Sequence, residues 1–281
     1  MNRETPISES RAVPAGSDVP ALPSTEGATP MMVQFLELRA EAPLDAFAHA
    51  AHAQALKRQR QARWQSDALE QRLAADASAV FDPEPAPTPP GRARPVFVLG
   101  LPRSGTTLLA ALLSAHSGIA NLGEQNLVPA LAAGPAREAL LAGRGGGLFA
   151  DWYRAATQDL ALDARVSVDK LPENAEHVGL ILATFPDALV LHIERDLADS
   201  AVSMHLRDFE FSAPYACDPV ALGGYARLLM GHLARLRSRA PGRVLHLRFE
   251  DLVAAPREAL APVLSALGLS WEEQVLSFWR G

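Results

Sequence analysis

Residues 95–109 constrain the fold of this chain more than any other stretch of its sequence. An apolar, β-branched run, Pro95–Leu99, leads into a short turn bounded by Gly100 and Gly105, and a helical pattern of leucines follows from Leu108. This order predicts a strand, a loop and a helix. Glycines let backbone N–H groups turn inward in such a loop, and the helix dipole favours a phosphate or sulfate bound there.

The loop resembles a known phosphate-binding pattern. The spacing of Gly100, Gly105, Thr106 and Thr107 is similar to that of the P-loop, except that Thr106 stands where the P-loop has lysine. Arg103 lies inside the loop and is therefore the cation that we expect to meet a bound phosphate. The alternative is an ordinary turn between a strand and a helix, with glycine at its tight positions.

Composition and charge narrow the class of protein. The chain has 281 residues, of which 48% are hydrophobic and 21% are charged, and this suits one large α/β domain with accessory segments. A formal net charge of −6 argues against nucleic acid as a partner. The single cysteine, Cys217, rules out an intrachain disulfide and offers no metal-binding cluster. The sequence shows no apolar run of membrane-spanning length and no signal-peptide core, so we expect a cytoplasmic protein without a membrane segment.

Lysine is rare in this chain. Only two of the 26 basic residues, Lys57 and Lys170, are lysines. Because arginine and lysine differ in shape and hydration, a chain so rich in arginine is expected to keep lysine where arginine does not serve. Lys170 follows a short predicted strand, and we expect it to have such a role. Lys57 lies in a polar helical stretch and is interpreted as a surface residue.

The sequence predicts four segments. Residues 1–30 are rich in Pro, Ser, Glu and Ala and are expected to be disordered. Residues 31–81 carry apolar side chains at helical spacing and predict two or three accessory helices. Residues 82–94 form a proline-rich linker, and residues 95–281 form the main domain.

Strands and helices alternate from residue 95 onward, which predicts an α/β fold with an open parallel sheet flanked by helices. The predicted strands are Pro95–Leu99, Val166–Asp169, Ala188–Ile193 and Arg243–Phe249. After the loop helix, the predicted helices are 127–141, 149–160, 173–184, 197–206, 219–239, 256–267 and 271–279, and residues 145–147 are predicted to be a mobile connection. Ligands of such sheets bind at the carboxyl ends of the strands, where Lys170, Arg195 and Phe249 lie.

Several motifs resemble those of the sulfotransferase family that uses 3′-phosphoadenosine 5′-phosphosulfate (PAPS). They are, in chain order, Gly100-Leu-Pro-Arg-Ser-Gly-Thr-Thr107, Gly123-Glu124, Asp169-Lys-Leu-Pro-Glu-Asn174, Arg195-Asp-Leu-Ala-Asp-Ser-Ala-Val-Ser203 and Phe249-Glu-Asp-Leu252. The resemblance spans residues 95–269 and is closest to the tyrosylprotein and bacterial repeat-associated branches. It implies a P-loop-like fold and transfer of a sulfuryl group from PAPS to a hydroxyl acceptor, which is a small molecule, a glycan or a peptide. No metal is implied.

The resemblance also implies which residues bind the nucleotide. Arg195 and Ser203, eight positions apart as in the family, are implied to bind its 3′-phosphate. The alternative for Arg195 is a surface ion pair with Asp196 or Asp199. Phe249 stands where the family has tyrosine, so it keeps a stacking surface and lacks the hydroxyl. The residues implied to bind the 5′-phosphate are Arg103, Ser104, Gly105, Thr106 and Thr107.

The catalytic residues implied by the resemblance are Glu124, Lys170 and Arg103. Sulfuryl transfer needs a hydroxyl nucleophile in line with the leaving group, and positive charge near the departing phosphate. Glu124 is implied as the general base, and Lys170 as a point charge for the transferring group. His116 is the rival base, but it lies eleven residues past Gly105, at the far end of the first helix, and there a structural role is favoured.

Two other functions stay open at this point. A P-loop phosphotransferase, such as a small-molecule kinase, would need a lysine at the position of Thr106 and a carboxylate for Mg²⁺. A non-catalytic nucleotide-binding or partner-binding module is motivated by the helical N-terminal segment and by the end of the sequence. Family members continue past the closing helices, so we expect a domain shortened at its C-terminus. Residues 127–160 and 205–225 are expected to shape the acceptor pocket. Their aromatic residues could equally belong to the core, and they are Trp152, Tyr153, Phe209, Phe211 and Tyr215.

Overall fold

The computed structural model describes residues 43–60, 64–161, 164–206 and 213–280. The predicted disordered segment 1–30 lies outside them. The chain divides into two compact units, residues 1–53 and residues 54–281. The described residues of the first unit all belong to one helix, and the account below concerns the second unit. No helix in the described part of the chain is long and apolar enough to cross a membrane.

Five parallel strands form one sheet in the order β2-β3-β1-β4-β5. The strands are β1 (Arg94–Leu99), β2 (Ile119–Gly123), β3 (Val166–Lys170), β4 (Leu189–Glu194) and β5 (Val244–Arg248). The predicted open parallel sheet with flanking helices is confirmed, and all four predicted strands belong to it. The sequence pattern does not predict β2, because this edge strand buries only Ile119 and Leu122 and carries no continuous apolar run.

Helices cover both faces of this sheet. The α-helices are α1 (Pro43–Arg60), α2 (Ser66–Ala77), α3 (Thr106–Ser114), α4 (Leu127–Ala133), α5 (Arg137–Leu141), α6 (Gly146–Ala161), α7 (Val178–Thr184), α8 (Leu197–His205), α9 (Pro219–Arg239), α10 (Phe249–Ala254) and α11 (Pro256–Leu267). Short 3₁₀ helices span Pro172–His177, Pro214–Cys217 and Glu273–Arg280.

Two predicted helix boundaries in the region after β2 are wrong. The predicted helix 127–141 is two helices, because Gly134 adopts an extended conformation and a proline follows it. Gly146 and Gly147 are not a mobile connection, since they begin α6. Gly146 also packs tightly, because a Cβ atom there would lie 2.8 Å from the carbonyl oxygen of Ala183.

Three further boundaries differ from the sequence prediction. The predicted helix 173–184 starts as a 3₁₀ turn and becomes α-helical only at Val178. The predicted last strand ends at Arg248, and Phe249 begins α10 instead of closing the strand. The predicted closing helix is a 3₁₀ segment with a non-helical residue at Ser277. Periodicity alone does not distinguish α-helical from 3₁₀ turns, because both bury residues three or four positions apart.

The alternation of side chains along β1 separates two apolar cores. Val96 and Val98 pack with α3 and α11 on one face of the sheet. Phe97 and Leu99 pack with α2, α7 and α9 on the other face. A parallel strand buried on both faces explains the nearly continuous apolar run in the sequence. The loop after β1 therefore lies at the carboxyl edge of the sheet, between the two helical layers.

The proline-rich segment, residues 82–94, packs against other parts of the second compact unit. Arg243 is fully buried and donates hydrogen bonds to the carbonyl oxygens of Asp82 (2.7 Å), Leu182 (3.0 Å) and Phe185 (2.6 Å). The backbone N–H of Ala86 donates to the carbonyl oxygen of Pro186 at 2.9 Å. These bonds tie the segment to the start of β5 and the end of α7. The domain boundaries drawn from the sequence stay predictions.

Candidate active site

The loop between β1 and α3 has positive φ angles at both of its glycines. Gly100 has a φ angle of 154° and Gly105 one of 103°, and a Cβ atom on either would collide with a neighbour. At Gly100 it would lie 2.3 Å from the carbonyl oxygen of Ile193, and at Gly105 it would lie 2.4 Å from Cδ2 of Phe249. Arg103 has a φ of 68°, in the left-handed region that non-glycine residues rarely adopt. The loop is therefore a specialised turn, not an ordinary connection.

Hydroxyl groups line the start of α3. Ser104 and Thr106 are buried, whereas Thr107 is exposed. The N–H of Ser104 donates to the carbonyl oxygen of Leu101 at 3.1 Å. The buried Oγ of Ser104 has no hydrogen-bond partner among the described residues. Together with the first N–H groups of α3, this hydroxyl offers unmet hydrogen-bonding capacity in the loop.

Arg103 links the loop to α8. Its Nε donates a hydrogen bond to Oγ of Ser203 at 3.0 Å. The sequence pairs Ser203 with Arg195 in one phosphate site, but the structure places the Ser203 hydroxyl against Arg103. The loop therefore lies beside Ser203, which is one of the two residues expected to bind the 3′-phosphate.

Arg195 follows β4 directly and makes two contacts. Its Nη2 lies 3.2 Å from Oδ2 of Asp199, which is the ion pair considered as the alternative to phosphate binding. Its guanidinium carbon lies 4.7 Å from the ring centre of Phe249. The Nε of Arg195 is buried without a hydrogen-bond partner among the described residues. Because Gly105 also contacts Phe249, this ring joins the loop to Arg195.

Lys170 and Glu124 come together at the carboxyl ends of β3 and β2. The Nζ of Lys170 forms an ion pair with Oε1 of Glu124. The Lys170 side chain is 12% exposed and that of Glu124 is 57% exposed, so the pair opens to solvent on the carboxylate side. Lys170 is in register with Val98 of β1, two residues before the loop begins. The structure therefore brings both residues to the edge of the sheet that carries the loop.

A buried carboxyl group, that of Asp169, lies next to this pair in the chain. Asp169 is 1% exposed, and its Oδ2 accepts a hydrogen bond from the Tyr153 hydroxyl at 2.7 Å. Its Oδ1 accepts one from the backbone N–H of Gln125 at 3.4 Å. Burial raises the pKa of Asp169 to about 7, although the hydrogen bonds from Tyr153 and Gln125 and the charge of Lys170 lower it. Sequence reasoning missed the Asp169–Tyr153 contact, and its only signal was a carboxyl group inside a buried strand.

His116 lies near the amino ends of the strands, at the end of the sheet opposite to the loop. It is 5% exposed, and its Nε2 lies 2.9 Å from the carbonyl oxygen of Ser270. Its Nδ1 accepts the N–H of Gly118, whose carbonyl oxygen bonds to the first residue of β3, Val166. Lys170 ends that strand, roughly 13 Å away at the usual rise per residue. The two ring nitrogens of His116 therefore have structural contacts, Nδ1 with the turn before β2 and Nε2 with the C-terminal segment.

A cavity of about 460 Å³ lies beside Arg195, where β4 and β5 end and α9 covers the sheet. In its wall, Nε2 of His246 lies 2.9 Å from Oε2 of Glu194. Leu101 and Met230 provide an apolar part of the lining. No group of three or more His, Cys, Asp or Glu residues in the described ranges is arranged to hold a metal ion.

The sheet order, the glycine-flanked loop after β1 and the charged strand ends define a P-loop-like α/β protein. The family model described as the sulfotransferase family matches residues 95–273, and the chain belongs to this family. The resemblance found in the motifs is thereby confirmed.

Individual relatives agree with this assignment. An uncharacterized protein of Aquifex aeolicus (strain VF5) is 31% identical over an alignment of 226 residues that covers 72% of this chain and 29% of that protein. Protein-tyrosine sulfotransferase 2 of Gallus gallus is 26% identical over an alignment of 196 residues that covers 64% of this chain and 53% of that protein. The chain thus spans less than a third of the first relative and about half of the second.

A solved structure supports the fold. The sulfotransferase domain of the olefin synthase of Synechococcus PCC 7002 matches with a TM-score of 0.52 and 23% identity, over 70% of this chain and 82% of that one.

Proposed function

We propose that this chain transfers the sulfuryl group of PAPS to a hydroxyl acceptor, with Glu124 as the general base. The observation that carries the proposal is the Lys170–Glu124 ion pair, at strand ends next to the loop. A carboxylate and a compact cation side by side suit a reaction that removes a proton while negative charge moves between two oxygens.

The polar groups around the loop fit a phosphorylated nucleotide. Two buried polar atoms, Oγ of Ser104 and Nε of Arg195, lack partners among the described residues. A phosphate oxygen would satisfy either of them. In the proposed site, Arg103 and the loop residues up to Thr107 hold the 5′-phosphate, while Arg195 and Ser203 hold the 3′-phosphate. Phe249, beside Arg195, offers a flat surface for the nucleotide.

The proposed roles follow from charge balance. PAPS supplies a sulfuryl group carried on a 5′-phosphate. Glu124 accepts the hydroxyl proton of the acceptor as the acceptor oxygen forms its bond to sulfur. The bond between sulfur and the phosphate oxygen breaks, and its electron pair leaves with that oxygen. Arg103 and the loop N–H groups stabilise the charge on the departing phosphate, and Lys170 stabilises the charge on the transferring group.

Membership of the sulfotransferase family favours this function over the other two candidates. A P-loop kinase would need a lysine at the position of Thr106, and this chain has none there. A non-catalytic binding module would give the Lys170–Glu124 pair no function. The acceptor is proposed to be a hydroxyl group of a small molecule, a glycan or a peptide.

Substitution of the proposed base tests the mechanism. Glu124→Gln keeps the size of the side chain but cannot accept a proton, so we expect kcat for sulfuryl transfer to fall about a hundredfold or more. The affinity for PAP, the desulfated product, should stay within about threefold of wild type in calorimetry, because the base meets the acceptor and not the nucleotide. Glu70→Gln, an exposed change on α2, is the matched control. Transfer that survives in Glu124→Gln would show that another group is the base.

The function itself is tested with the unaltered protein. Calorimetry should show PAP binding, and a panel of phenols, sugars and tyrosine peptides should include an acceptor of sulfate from PAPS. Failure to bind PAP contradicts the proposal. Binding of PAP without transfer to any acceptor would favour the module, and phosphate transfer from Mg²⁺–ATP would favour the kinase.

A further inference from the structure

Asp169 connects three parts of the chain that are distant in sequence. Asp169 is the last buried residue of β3 and directly precedes Lys170. One carboxyl oxygen accepts from Tyr153 on α6, and the other accepts from the N–H of Gln125 in the turn after β2. Both oxygens are therefore in use, and two of the residues concerned are direct neighbours of the ion pair in sequence, since Asp169 precedes Lys170 and Gln125 follows Glu124.

The turn that carries Glu124 leaves the regular β2–β3 ladder. The register shifts between Asn121 and Gly123, and Gly123, with a φ of 73°, pairs with Asp169. Oδ1 of Asn121 accepts the N–H of Gly123 at 2.9 Å, which tightens the turn. Beyond Gly123, the hydrogen bonds from this turn to β3 that involve described residues are those to Asp169 and Lys170. Asp169 is thus the backbone anchor of the turn.

Tyr153 holds Asp169 rigidly from the other side. The tyrosine is 2% exposed, and its ring centre lies 5.8 Å from that of Phe97 and 5.0 Å from that of Phe185. Packing of this kind leaves the ring little freedom, so the hydroxyl stays directed at Asp169. Burial, followed by the nearby Asp169 charge, raises the pKa of Tyr153 well above its ordinary value, so it remains a donor at neutral pH.

We propose that Asp169, held by Tyr153, is a positioning residue that anchors the turn after β2 so that Glu124 faces Lys170. The proposal rests on the proposed function, in which Glu124 and Lys170 act on the acceptor and the transferring group. The charged and titratable groups that act on Asp169 are Tyr153 on α6, Lys170 on its own strand and Glu124 on the turn. When Asp169 takes up a proton, it loses acceptor capacity, and its hydrogen bond with the N–H of Gln125 weakens.

Two conservative variants separate this role from simple packing. In Asp169→Asn the amide keeps one acceptor oxygen, so either the Tyr153 O–H or the Gln125 N–H loses its acceptor. In Tyr153→Phe the ring packing stays and only the donated hydrogen bond is lost. We expect kcat to fall about tenfold to a hundredfold in each, because a displaced base is poorly aligned, with KM for PAPS nearly unchanged.

The pH profile gives a readout that packing would not move. The hydrogen bond from Tyr153 favours the ionised form of Asp169, so its loss in Tyr153→Phe raises the pKa of Asp169. The acid limb of kcat should therefore shift to higher pH in Tyr153→Phe. Tyr225→Phe is the matched control, because it also removes a buried hydroxyl, one that donates to Glu176 at 3.0 Å. An unmoved acid limb in Tyr153→Phe would contradict the proposal.

Lysine reactivity tests the positioning without any catalytic turnover. The chain has two lysines, so brief acetylation and peptide mass spectrometry report Lys170 relative to Lys57. The Nζ of Lys57 is buried, unlike the surface position expected from the sequence, and its slow labelling should be the same in all the variants. Loss of the ion pair in Glu124→Gln should raise the Lys170 to Lys57 labelling ratio about threefold or more. Asp169→Asn and Tyr153→Phe should raise it similarly, and Tyr225→Phe should not.

The outcomes distinguish the two proposals. If the unaltered protein transfers no sulfate while the labelling ratio rises as expected, the proposed function fails and the positioning stands. If Glu124→Gln raises the ratio but Asp169→Asn and Tyr153→Phe leave it unchanged, the positioning is overturned. Should Asp169→Asn fail to fold, Tyr153→Phe decides the matter, since its ring still fills the same space.

Discussion

The contacts that Arg195 makes in this structure are weak ones. Its ion pair with Asp199 joins side chains that are 27% and 62% exposed, and such pairs contribute about 0–1 kcal/mol. Its contact with the Phe249 ring adds about 0.5–1 kcal/mol. A hydrogen bond between charged groups contributes about 1.5–3 kcal/mol, so a phosphate would outcompete either contact.

We therefore expect Arg195→Ala to weaken PAP binding about 10- to 100-fold in calorimetry, through loss of a charged hydrogen bond. Asp199→Asn should leave the affinity equal to that of wild type or raise it, because it frees the guanidinium. Arg144→Ala, an exposed change after α5, controls for the loss of one positive charge. Equal PAP affinity in Arg195→Ala and wild type would remove Arg195 from the nucleotide site.

At the scale of secondary structure, the start of α7 depends on a residue of another helix. Asp76 on α2 is 1% exposed, and its carboxylate accepts the N–H groups of Gly179 (2.6 Å) and Leu180 (2.9 Å). These are orphan donors of the first turn of α7. The two backbones touch here, because a Cβ atom on Gly179 would lie 1.9 Å from the carbonyl oxygen of Asp76. Asp76 therefore caps α7 from outside.

Asp76→Ala leaves two buried N–H groups without an acceptor, and each costs about 1–3 kcal/mol. We expect the free energy of unfolding to fall by about 3 kcal/mol, measured by urea denaturation. Asp67→Ala, at the exposed start of the same helix, should change it by less than about 1 kcal/mol. A similar small effect for both variants would argue against the capping role.

At the scale of the whole molecule, buried ionisable groups set the pH dependence of folding in opposite directions. Burial raises the pKa of Asp169 to about 7, from an ordinary value of 3.8, so the native state holds a proton that the unfolded chain releases between these values. Stability from this group therefore falls as pH rises from about 4 to 7. Burial lowers the pKa of His192 to about 3, which makes stability rise with pH over much of the same range.

The contribution of Asp169 is isolated by comparing wild type with Asp169→Asn. The difference in unfolding free energy, wild type minus variant, should decrease between pH 4 and 7 with a slope of up to about 1.4 kcal/mol per pH unit. Urea denaturation at five pH values across this window measures it. A flat difference would show that Asp169 is ionised in the native state throughout this range.

Much of the architecture was predictable because its signals are local. The apolar runs of β1 and β4 are nearly continuous, since these central parallel strands are buried on both faces. The shorter strands β3 and β5 alternate apolar with polar residues, and the turn residues around them mark their ends. The loop after β1 shows itself through Gly100 and Gly105, whose backbone angles few other residues adopt. The edge strand β2 and the 3₁₀ segments were not predictable, because they bury too few residues to leave a periodic signal.

The sequence predicted that the candidate residues lie at strand ends, but it did not predict their contacts. Motif order and strand ends indicated Arg103, Lys170 and Arg195. That Arg103 meets Ser203, one hundred positions away, depends on how α8 packs against the loop. That Lys170 meets Glu124, 46 positions away, depends on the register of the unpredicted β2.

By itself, the amino-acid sequence determined the strand–loop–helix element, the parallel α/β class and the resemblance to sulfotransferases, because these depend on neighbouring residues and on motif spacing. Only the tertiary structure decided which groups are buried and which meet. Asp169 became an anchor with a raised pKa because α6 and the turn after β2 close over it, bringing Tyr153 to one oxygen and Gln125 to the other. Burial and hydrogen bonding of this kind belong to the packed chain, since the partners are far apart in sequence.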